Sequence, residues 1–452
     1  MLSRNPATGE VLRTFAPHDP AEVERRLAQS VAAQRQWRAR PIAERAPALR
    51  ALADRLRARQ DALASVMTAE MGKPLAEARA EIEKSAWVCA FYAAEAEAML
   101  APRAVAAKVP ENHVCYRPLG TLLGVMPWNF PFWQVYRFAA PALMAGNAVL
   151  IKHAPNTLGC MEEMEALARE AGLPEGLFAE VRVEVERVPD LIADPRVRAV
   201  TVTGSERAGS AVAAVAGAAL KPSVLELGGS DPFIVLADAD LEAALDVGVA
   251  SRCLNAGQSC IAAKRFIVEA PVWDRFVAGL VDRMRALTVG DPTDPSVRIG
   301  PLARADLRDH LHAQVQASID AGARLLTGGA PLPGPGFFYA PTVLAEPPPG
   351  CPAAADELFG PVGVVLRAQD AEDAVRIAND TRYGLSASLW TRDRARARGW
   401  AARIEAGAVF INQMSYSDPR LPFGGIGVSG YGRELGPEGI RAFVNIQTVS
   451  VG

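Results

Sequence analysis

The feature that most restricts the fold is an alternation, from about residue 119 onward, of short β-rich runs with helical stretches. The first series of such runs covers residues 122–126, 148–151, 181–183, 199–202 and 224–227. Strands separated by helix-length segments are typical of βαβ units, because parallel neighbours need a long crossover connection. We therefore expect an α/β fold in which helices cover a parallel sheet.

A second series of β-rich runs predicts a second α/β domain. It covers residues 233–236, 265–268, 343–344, 362–366, 386–390 and 409–412. A chain of 452 residues is also too long for one ordinary core, which favours two or more domains.

The first hundred residues are predicted to be mainly helical. Asp19 and Pro20 form a helix start with a capping aspartate and a proline at the first helical position. Apolar residues continue a helical pattern to Glu70, residues 71–74 break it, and a further helix runs to about Met99. At the other end of the chain, residues 443–449 alternate like a strand. Such a late strand pairs either with a neighbouring subunit or with an edge of its own chain.

Composition excludes several classes of function. The net charge of -3 and the absence of a basic patch argue against a nucleic-acid partner. The N-terminus lacks the apolar segment of a signal peptide, and no charge-free apolar stretch predicts a membrane span. Six scattered cysteines indicate free thiols in a reducing compartment, so we expect a cytoplasmic protein. Five histidines show no zinc-binding pattern, and no metal is expected.

Two short motifs carry the strongest chemical signal. The sequence Gly-Gln-Ser-Cys at 257–260 places Cys260 among small residues that leave space around a thiol. The sequence Glu-Leu-Gly-Gly at 226–229 places Glu226 beside a turn that a ligand can approach closely. A thiol can attack a carbonyl and a carboxylate can activate water, so the pair suggests covalent catalysis. Taken alone, Cys260 could be a packing residue and Glu226 a solvated strand end.

Two further motifs follow predicted strands. Pro-Trp-Asn-Phe-Pro at 127–131 lies at the carboxyl edge of the first strand, where open α/β sheets bind ligands. Asn129 could there donate to a developing oxyanion, although the motif could also be a simple aromatic turn. Residues 203–209 open a helix with glycines, which suits a pyrophosphate but is not the usual dinucleotide pattern.

Together, these motifs resemble the aldehyde dehydrogenase superfamily from end to end. The ordered set comprises segments 5–10, 127–131, 203–205, 226–229, 257–260, 357–362, 422–425 and 445–447. The resemblance implies a Rossmann-type cofactor domain from 1–100 and 119–227, and an α/β catalytic domain from 228–439. It also implies a small β oligomerisation element from 101–118 and 440–452, and hence a homodimer or homotetramer.

The resemblance assigns the catalytic residues. Cys260 matches the nucleophile that forms a thiohemiacetal and then a thioester with an aldehyde substrate. Asn129 and the Cys260 backbone N–H match the oxyanion donors. Glu226 matches the base that activates water, which implies a carboxylic acid product and not a CoA ester.

The resemblance also implies which residues contact the cofactor, NAD or NADP. The matching positions are Trp128 and Lys152 near the adenosine, Gly204 and Ser205 at the pyrophosphate, Leu227, Glu357 at the nicotinamide ribose, and Phe359. Many NAD-preferring members carry a glutamate where this chain has Pro155. NADP is therefore not excluded by charge, and the subgroup resemblance favours NAD.

Two positions depart from the family pattern. A lysine that many members use in a proton route behind the base is replaced by Phe138, so that route must differ. Ile261 and Ala262 follow the nucleophile, so a switch through a vicinal disulfide is not expected.

The substrate prediction depends mainly on Arg137. It matches an arginine that pairs with the substrate carboxylate in succinate-semialdehyde dehydrogenases, and a guanidinium suits a carboxylate. Ser417 matches a second contact to that carboxylate. A second arginine of some relatives is replaced by Leu254, and Arg420 is a candidate to compensate. The chain is most similar to short bacterial succinate-semialdehyde dehydrogenases.

Three alternatives stay open at this point. Arg137 could form a structural ion pair. Trp133 and Tyr136 lie in the same segment, so an uncharged aliphatic or aromatic aldehyde is a second candidate substrate. A catalytically silent protein on this scaffold is a third, although the presence of Cys260 and Glu226 argues against it.

Overall fold

The computed structural model describes all residues from Met1 to Gly452, and its elements are numbered in chain order. The helices are α1 Pro20–Ala39, α2 Ile42–Ala58, α3 Gln60–Met71, α4 Leu75–Met99, α5 Trp133–Met144, α6 Leu158–Glu170, α7 Val188–Ala193, α8 Glu206–Ala218, α9 Leu241–Cys253, α10 Trp273–Arg285, α11 Ala305–Asp320, α12 Pro352–Ala355, α13 Ala371–Asn379, α14 Arg394–Ala401 and α15 Gly436–Arg441. The strands are β1 Leu2–Arg4, β2 Val11–Thr14, β3 Arg103–Ala104, β4 Glu111–Pro118, β5 Thr121–Val125, β6 Ala148–Lys152, β7 Phe178–Glu180, β8 Val197–Thr203, β9 Ser223–Glu226, β10 Pro232–Val235, β11 Arg265–Glu269, β12 Arg324–Thr327, β13 Thr342–Ala345, β14 Val362–Ala368, β15 Tyr383–Gly384, β16 Ser386–Trp390, β17 Ala408–Ile411, β18 Ile426–Gly427, β19 Gly430–Tyr431 and β20 Val444–Val451.

The first large sheet has six strands in the order β19-β9-β8-β5-β6-β7. Its five strands from β9 to β7 run parallel, and β19 adds an antiparallel edge beside β9. The strands β5 and β6 are buried almost throughout because helices cover both faces of the sheet. The loops after β5, β8 and β9 therefore emerge at one edge of the sheet, which is where the predicted motifs lie.

The second large sheet has seven strands in the order β12-β13-β14-β11-β10-β16-β17. All its pairs are parallel except the pair of β12 with β13. Separate apolar clusters fill its two faces. The two parallel sheets confirm the predicted α/β fold.

The N-terminal helices follow their sequence signals closely. Asp19 accepts a hydrogen bond from the Glu22 N–H at 2.8 Å and so caps α1. Gly72 ends α3 in a left-handed conformation with φ of 79°, which a glycine adopts without strain. The predicted second helix is in fact two, α2 and α3, which are separated at Arg59. The hairpin of β1 and β2 before them was not predicted.

The prediction of a strand at residues 181–183 is wrong. The strand β7 ends at Glu180, and the next three residues form a connecting loop. Val181 and Val183 are apolar because they pack in the core beside β8, and not because they belong to the sheet. A short apolar run does not distinguish a strand from a buried loop.

The terminal strand β20 pairs antiparallel with β4 of the same chain, from Val444 opposite Pro118 to Val451 opposite Glu111. With β3 it forms a separate three-stranded sheet, and β20 lies at the edge of that sheet. The interpretation that the terminal strand pairs with an edge of its own chain is thus confirmed. The proposed domain boundaries and the oligomerisation role of this sheet stay predictions.

No helix of the protein combines the length and the apolar character needed to cross a membrane.

Candidate active site

The loop before Cys260 has an unusual backbone. Asn255, Ala256 and Gly257 are consecutive left-handed residues with φ of 56°, 53° and 76°. Such a run is strained for the two non-glycine residues, so surrounding contacts must hold it. The Asn255 amide donates to the Asn129 carbonyl at 2.7 Å, and its backbone N–H donates to the Glu77 carboxylate at 2.7 Å. The loop is thereby tied to the segment that carries Asn129.

Two cavities meet at Cys260. The first has a volume of about 270 Å³ and the second about 210 Å³, and Cys260 and Gln134 line both. The first is bounded by the loops after β5, β8 and β9. The second is bounded by α4, α5 and the segment 414–417. A thiol between two cavities can face a different bound molecule on each side.

Most of the predicted site residues line one of these cavities. Those on the first are Trp128, Asn129, Gly204, Ser205, Leu227, Glu357 and Phe359. Arg137 and Ser417 line the second. Lys152 and Glu226 line neither: Lys152 ends β6, next to the end of β5, and Glu226 ends β9, directly before Leu227.

The first cavity fits a dinucleotide. It reaches the N-terminus of α8, where Ser205 caps the helix and backbone N–H groups suit a pyrophosphate. Trp128 and Phe359 pack edge to face on its wall, with ring centroids 5.9 Å apart. The Glu357 carboxylate accepts from the Gly229 N–H at 3.2 Å and pairs with Lys264 at 3.0 Å, which keeps it oriented at the wall.

Burial raises the pKa of the Cys260 thiol to about 11, although the positive charges of Arg137 and Lys264 oppose the rise. The Lys264 ammonium donates a hydrogen bond to the Cys260 carbonyl at 2.7 Å. The thiol therefore carries its proton at neutral pH and must lose it as it attacks.

Two donors suitable for an oxyanion belong to residues that line the first cavity, Asn129 and Cys260 itself. The Asn129 side-chain amide donates to the Gln258 carbonyl at 3.1 Å, which fixes its direction beside Cys260. The Cys260 backbone N–H has no acceptor within the protein. An unpaired N–H beside a fixed amide is the arrangement that stabilises a tetrahedral oxyanion.

The Glu226 carboxylate is completely buried, and neither of its oxygens accepts a hydrogen bond. It lies against Gly424, where a β-carbon would come within 2.7 Å of one oxygen. Burial, and then the charge of Glu434, raises the pKa of Glu226 well above its usual range, while Arg137 and Arg433 oppose this. A carboxylate with a raised pKa is a stronger base, as proton abstraction from water requires.

Arg137 forms an ion pair with Glu434 in the interior, and its guanidinium also donates to the Thr203 hydroxyl at 3.3 Å. The structural ion pair considered for this arginine is therefore present. Arg137 nevertheless lines the second cavity, and its Nη1 atom makes no hydrogen bond within the protein. Phe138, the replacement for the family lysine, packs edge to face against Phe443.

Two expectations about the second cavity need correction. Arg420 does not compensate for Leu254, because its largely exposed side chain pairs with Asp418 away from the cavity. Tyr136 does not line the cavity either, since it is fully buried and stacked on Phe178. Trp133 does line it, as its segment suggested.

Sequence reasoning missed four residues of the site: Lys84, Asn255, Lys264 and Glu434. Asn255 and Lys264 lie within five positions of Cys260, and a closer reading of that loop could have singled them out. Lys84 and Glu434 gave no local signal, because each reaches the site from a distant helix or loop.

No group of three or more His, Cys, Asp or Glu side chains is arranged to hold a metal ion.

Comparison with known proteins identifies the family of this chain. The profile described as "Aldehyde dehydrogenase family" matches residues 1–449. A succinate semialdehyde dehydrogenase [NAD(P)+] of Escherichia coli (strain K12) is 49% identical over 448 residues, which are 99% of this chain and 97% of that protein. A succinate-semialdehyde dehydrogenase [NADP(+)] of Mycobacterium ulcerans (strain Agy99) is 49% identical over 456 residues, with 100% of both chains covered.

The comparison with solved structures supports the same family. The crystal structure of succinic semialdehyde dehydrogenase from Streptococcus pyogenes in complex with NADP+ has a TM-score of 0.98 and 36% identity, covering 100% of this chain and 99% of that chain. These names support NAD(P) but give no support to a preference for NAD over NADP. The matches over nearly the full length show that this protein belongs to the aldehyde dehydrogenase family, whose members oxidise aldehydes to carboxylic acids.

Proposed function

We propose that this chain oxidises succinate semialdehyde to succinate, with NADP or NAD as hydride acceptor. The observation that carries the proposal is the position of Cys260 between two cavities, one fitted to a dinucleotide and the other bordered by Arg137 and Ser417. The names of the relatives support the same substrate.

In the first half of the proposed reaction, the Cys260 thiol releases its proton to solvent water as its sulfur bonds to the aldehyde carbon, and the carbonyl π bond opens. The negative charge that develops on oxygen is stabilised by the Asn129 amide and the Cys260 N–H. When bound, the nicotinamide supplies the acceptor for the hydride that leaves this carbon. Cys260 is then held as a thioester.

In the second half, Glu226 takes a proton from water, and the resulting hydroxide attacks the thioester carbon. The carbon–sulfur bond breaks, the acid leaves, and the proton that Glu226 took from water passes to the sulfur and restores the thiol. Because the Glu226 carboxylate faces Gly424 in the structure, this role requires its side chain to rotate toward Cys260. Leu227 and Gly228, which follow it, already line the first cavity.

For the cofactor, we propose that NADP is accepted at least as well as NAD. The N-terminus of α8 with Ser205 would hold the pyrophosphate, Glu357 the nicotinamide ribose, and Lys152 the adenosine end. Lys152 is followed three residues later by Pro155, so no carboxylate at this position repels a 2′-phosphate. The names of the relatives, which include NADP, support this choice.

We also propose that the chain forms a homodimer or a homotetramer through its three-stranded sheet. The outer edge of β20 is unpaired, and Ile446 and Val451 on it are exposed. An exposed apolar edge strand is a site for pairing with another chain. Light scattering at working concentration measures the state directly, and a monomer there would contradict this part of the proposal.

The test of function is the initial rate of NAD(P)H formation with a panel of aldehydes and each cofactor. We expect kcat/KM for succinate semialdehyde to exceed that for butanal, its uncharged counterpart, by about tenfold or more, because a charged hydrogen-bonded contact is lost with butanal. Cys260→Ala should abolish oxidation with every aldehyde. A higher kcat/KM for butanal or benzaldehyde would instead favour the dehydrogenase for uncharged aldehydes.

A further inference from the structure

The wall of the second cavity carries three cationic side chains, and they differ in their partners. Lys73 pairs with Glu81, and Arg137 pairs with Glu434. Lys84, which is half-buried on α4, forms no ion pair with any carboxylate. It is the one cation on this wall without an ion pair, although the charges of Glu81 and Asp418 act on it from a greater distance.

The Lys84 ammonium has two contacts at the cavity. It donates a hydrogen bond to the Ser417 hydroxyl at 2.8 Å, and it lies 4.4 Å from the centre of the Trp133 ring. Both partners line the same cavity as Cys260. An ammonium has three donors, so at least one of them stays free to face a ligand.

The surroundings of Lys84 penalise its charge while the cavity holds only water. Burial, and then the nearby charge of Arg137, lowers the pKa of Lys84 to about 8, while the charges of Glu81 and Asp418 oppose the fall. A partly desolvated charge without a counter-ion is unfavourable, and an anion beside it removes much of that penalty. The site is therefore better suited to an anionic ligand than to a neutral one.

The position of Lys84 also suits a substrate contact that the predicted residues do not supply. Leu254 stands where some relatives carry a second arginine, and Arg420 points away from the cavity. We propose that Lys84, acting with Ser417, binds the distal carboxylate of the aldehyde substrate and so supplies the charge that Leu254 lacks. This inference rests on the proposed function, because it concerns the substrate of the same site.

The geometry places Lys84 where it can select a substrate without taking part in the chemistry. It lies on the same face of α4 as Glu77 and Glu81, at helical spacings of seven and three residues. That face forms the wall of the cavity and Cys260 borders the same space. Lys84 is thus a specificity-determining residue, and its loss should weaken binding with little effect on the chemical step.

The first experiment compares Lys84→Met with Lys108→Met, a matched loss of an exposed lysine outside the cavity. Methionine keeps the stem that packs on Trp133 but removes the charge. We expect Lys84→Met to raise KM for succinate semialdehyde by about 10- to 100-fold with kcat nearly unchanged. KM for butanal should not rise, Lys108→Met should behave as the wild type, and Lys84→Arg should recover part of the lost affinity.

The outcomes separate the two proposals. If the wild type itself shows no preference for succinate semialdehyde over butanal, the proposed function fails and this inference fails with it. If the wild type prefers succinate semialdehyde and Lys84→Met keeps the same KM, only the role of Lys84 is overturned. An equal rise in KM for both aldehydes would likewise overturn it, because that points to a structural role.

A second experiment needs no variant and uses the wild-type protein. Lysine acetylation by acetic anhydride is followed by mass spectrometry with and without saturating succinate, the product. We expect succinate to slow the labelling of Lys84 several-fold and to leave that of Lys108, an exposed lysine, unchanged. Equal labelling of Lys84 in both conditions would contradict the proposal even if the Lys84→Met variant did not fold.

Discussion

The left-handed loop before Cys260 leads to a sharp prediction for Gly257→Ala. Gly257 has φ of 76°, a conformation that costs a residue with a β-carbon about 1–2 kcal/mol. That β-carbon would also lie 2.8 Å from the Pro361 nitrogen and closer still to the Gly360 carbonyl, whereas ordinary contact begins at 3.4 Å. All of these neighbours are backbone atoms, so the loop itself must move.

The displacement reaches the proposed nucleophile, because Cys260 follows three residues later. A misplacement on the order of 1 Å lowers a rate by about 100-fold, which corresponds to about 2.7 kcal/mol of barrier. We therefore expect Gly257→Ala to lose about two orders of magnitude in kcat and to unfold at lower denaturant concentration. The Gly257 carbonyl also accepts from Arg252 at 2.5 Å, so movement of the loop breaks a buried contact as well.

The assay measures kcat with saturating aldehyde and cofactor, and stability by urea denaturation. Gly217→Ala is the matched control, because a β-carbon at this exposed position in α8 meets no atom within 4 Å. That control should keep full kcat and gain about 0.5–1 kcal/mol in stability. A Gly257→Ala enzyme with the kcat and the denaturation midpoint of the wild type would refute the argument from backbone geometry.

Two further predictions concern the charges at the site. Asn129→Ala should lower kcat by about 10²- to 10³-fold while the affinity for NADP, measured by fluorescence titration, stays unchanged; an unaltered kcat would exclude Asn129 as an oxyanion donor. Glu434→Gln removes a negative charge that helps to raise the pKa of Glu226. Because Glu226 acts in its ionised form, the rate rises with pH through this pKa. A lower pKa should move the acid limb of the kcat–pH profile to lower pH, and a limb that stays in place or moves upward would contradict the proposed role of Glu226.

The sequence predicted the parts of the site that depend on neighbouring residues. The small residues around Cys260, the turn after Glu226 and the helix start at Ser205 are local features, and the structure places Cys260, Asn129 and Ser205 on one cavity. The parallel arrangement of the strands was predicted too, since alternating strands and helices favour βαβ units, but the order of the strands was not. The bounds of β-runs were less certain, as the loop after β7 demonstrates.

Contacts between distant segments could not be predicted in this way. The hydrogen bond of Lys84 with Ser417 joins residues 333 positions apart. The ion pair of Arg137 with Glu434 likewise joins α5 to a loop near the end of the chain. No periodicity or motif links such residues, because their proximity results from how the helices pack on the sheets.

The sequence by itself determined the α/β fold and the family, and it predicted Cys260 as the nucleophile, because each signal is written in residues close together or in a fixed order along the chain. Only the tertiary structure decided which charged side chains near the site form ion pairs. It paired Arg137 with Glu434, turned Arg420 away from the second cavity and left Lys84 facing that cavity without an ion pair. The balance of a buried charge depends on every group that packing brings near it, and that is a property of the folded protein alone.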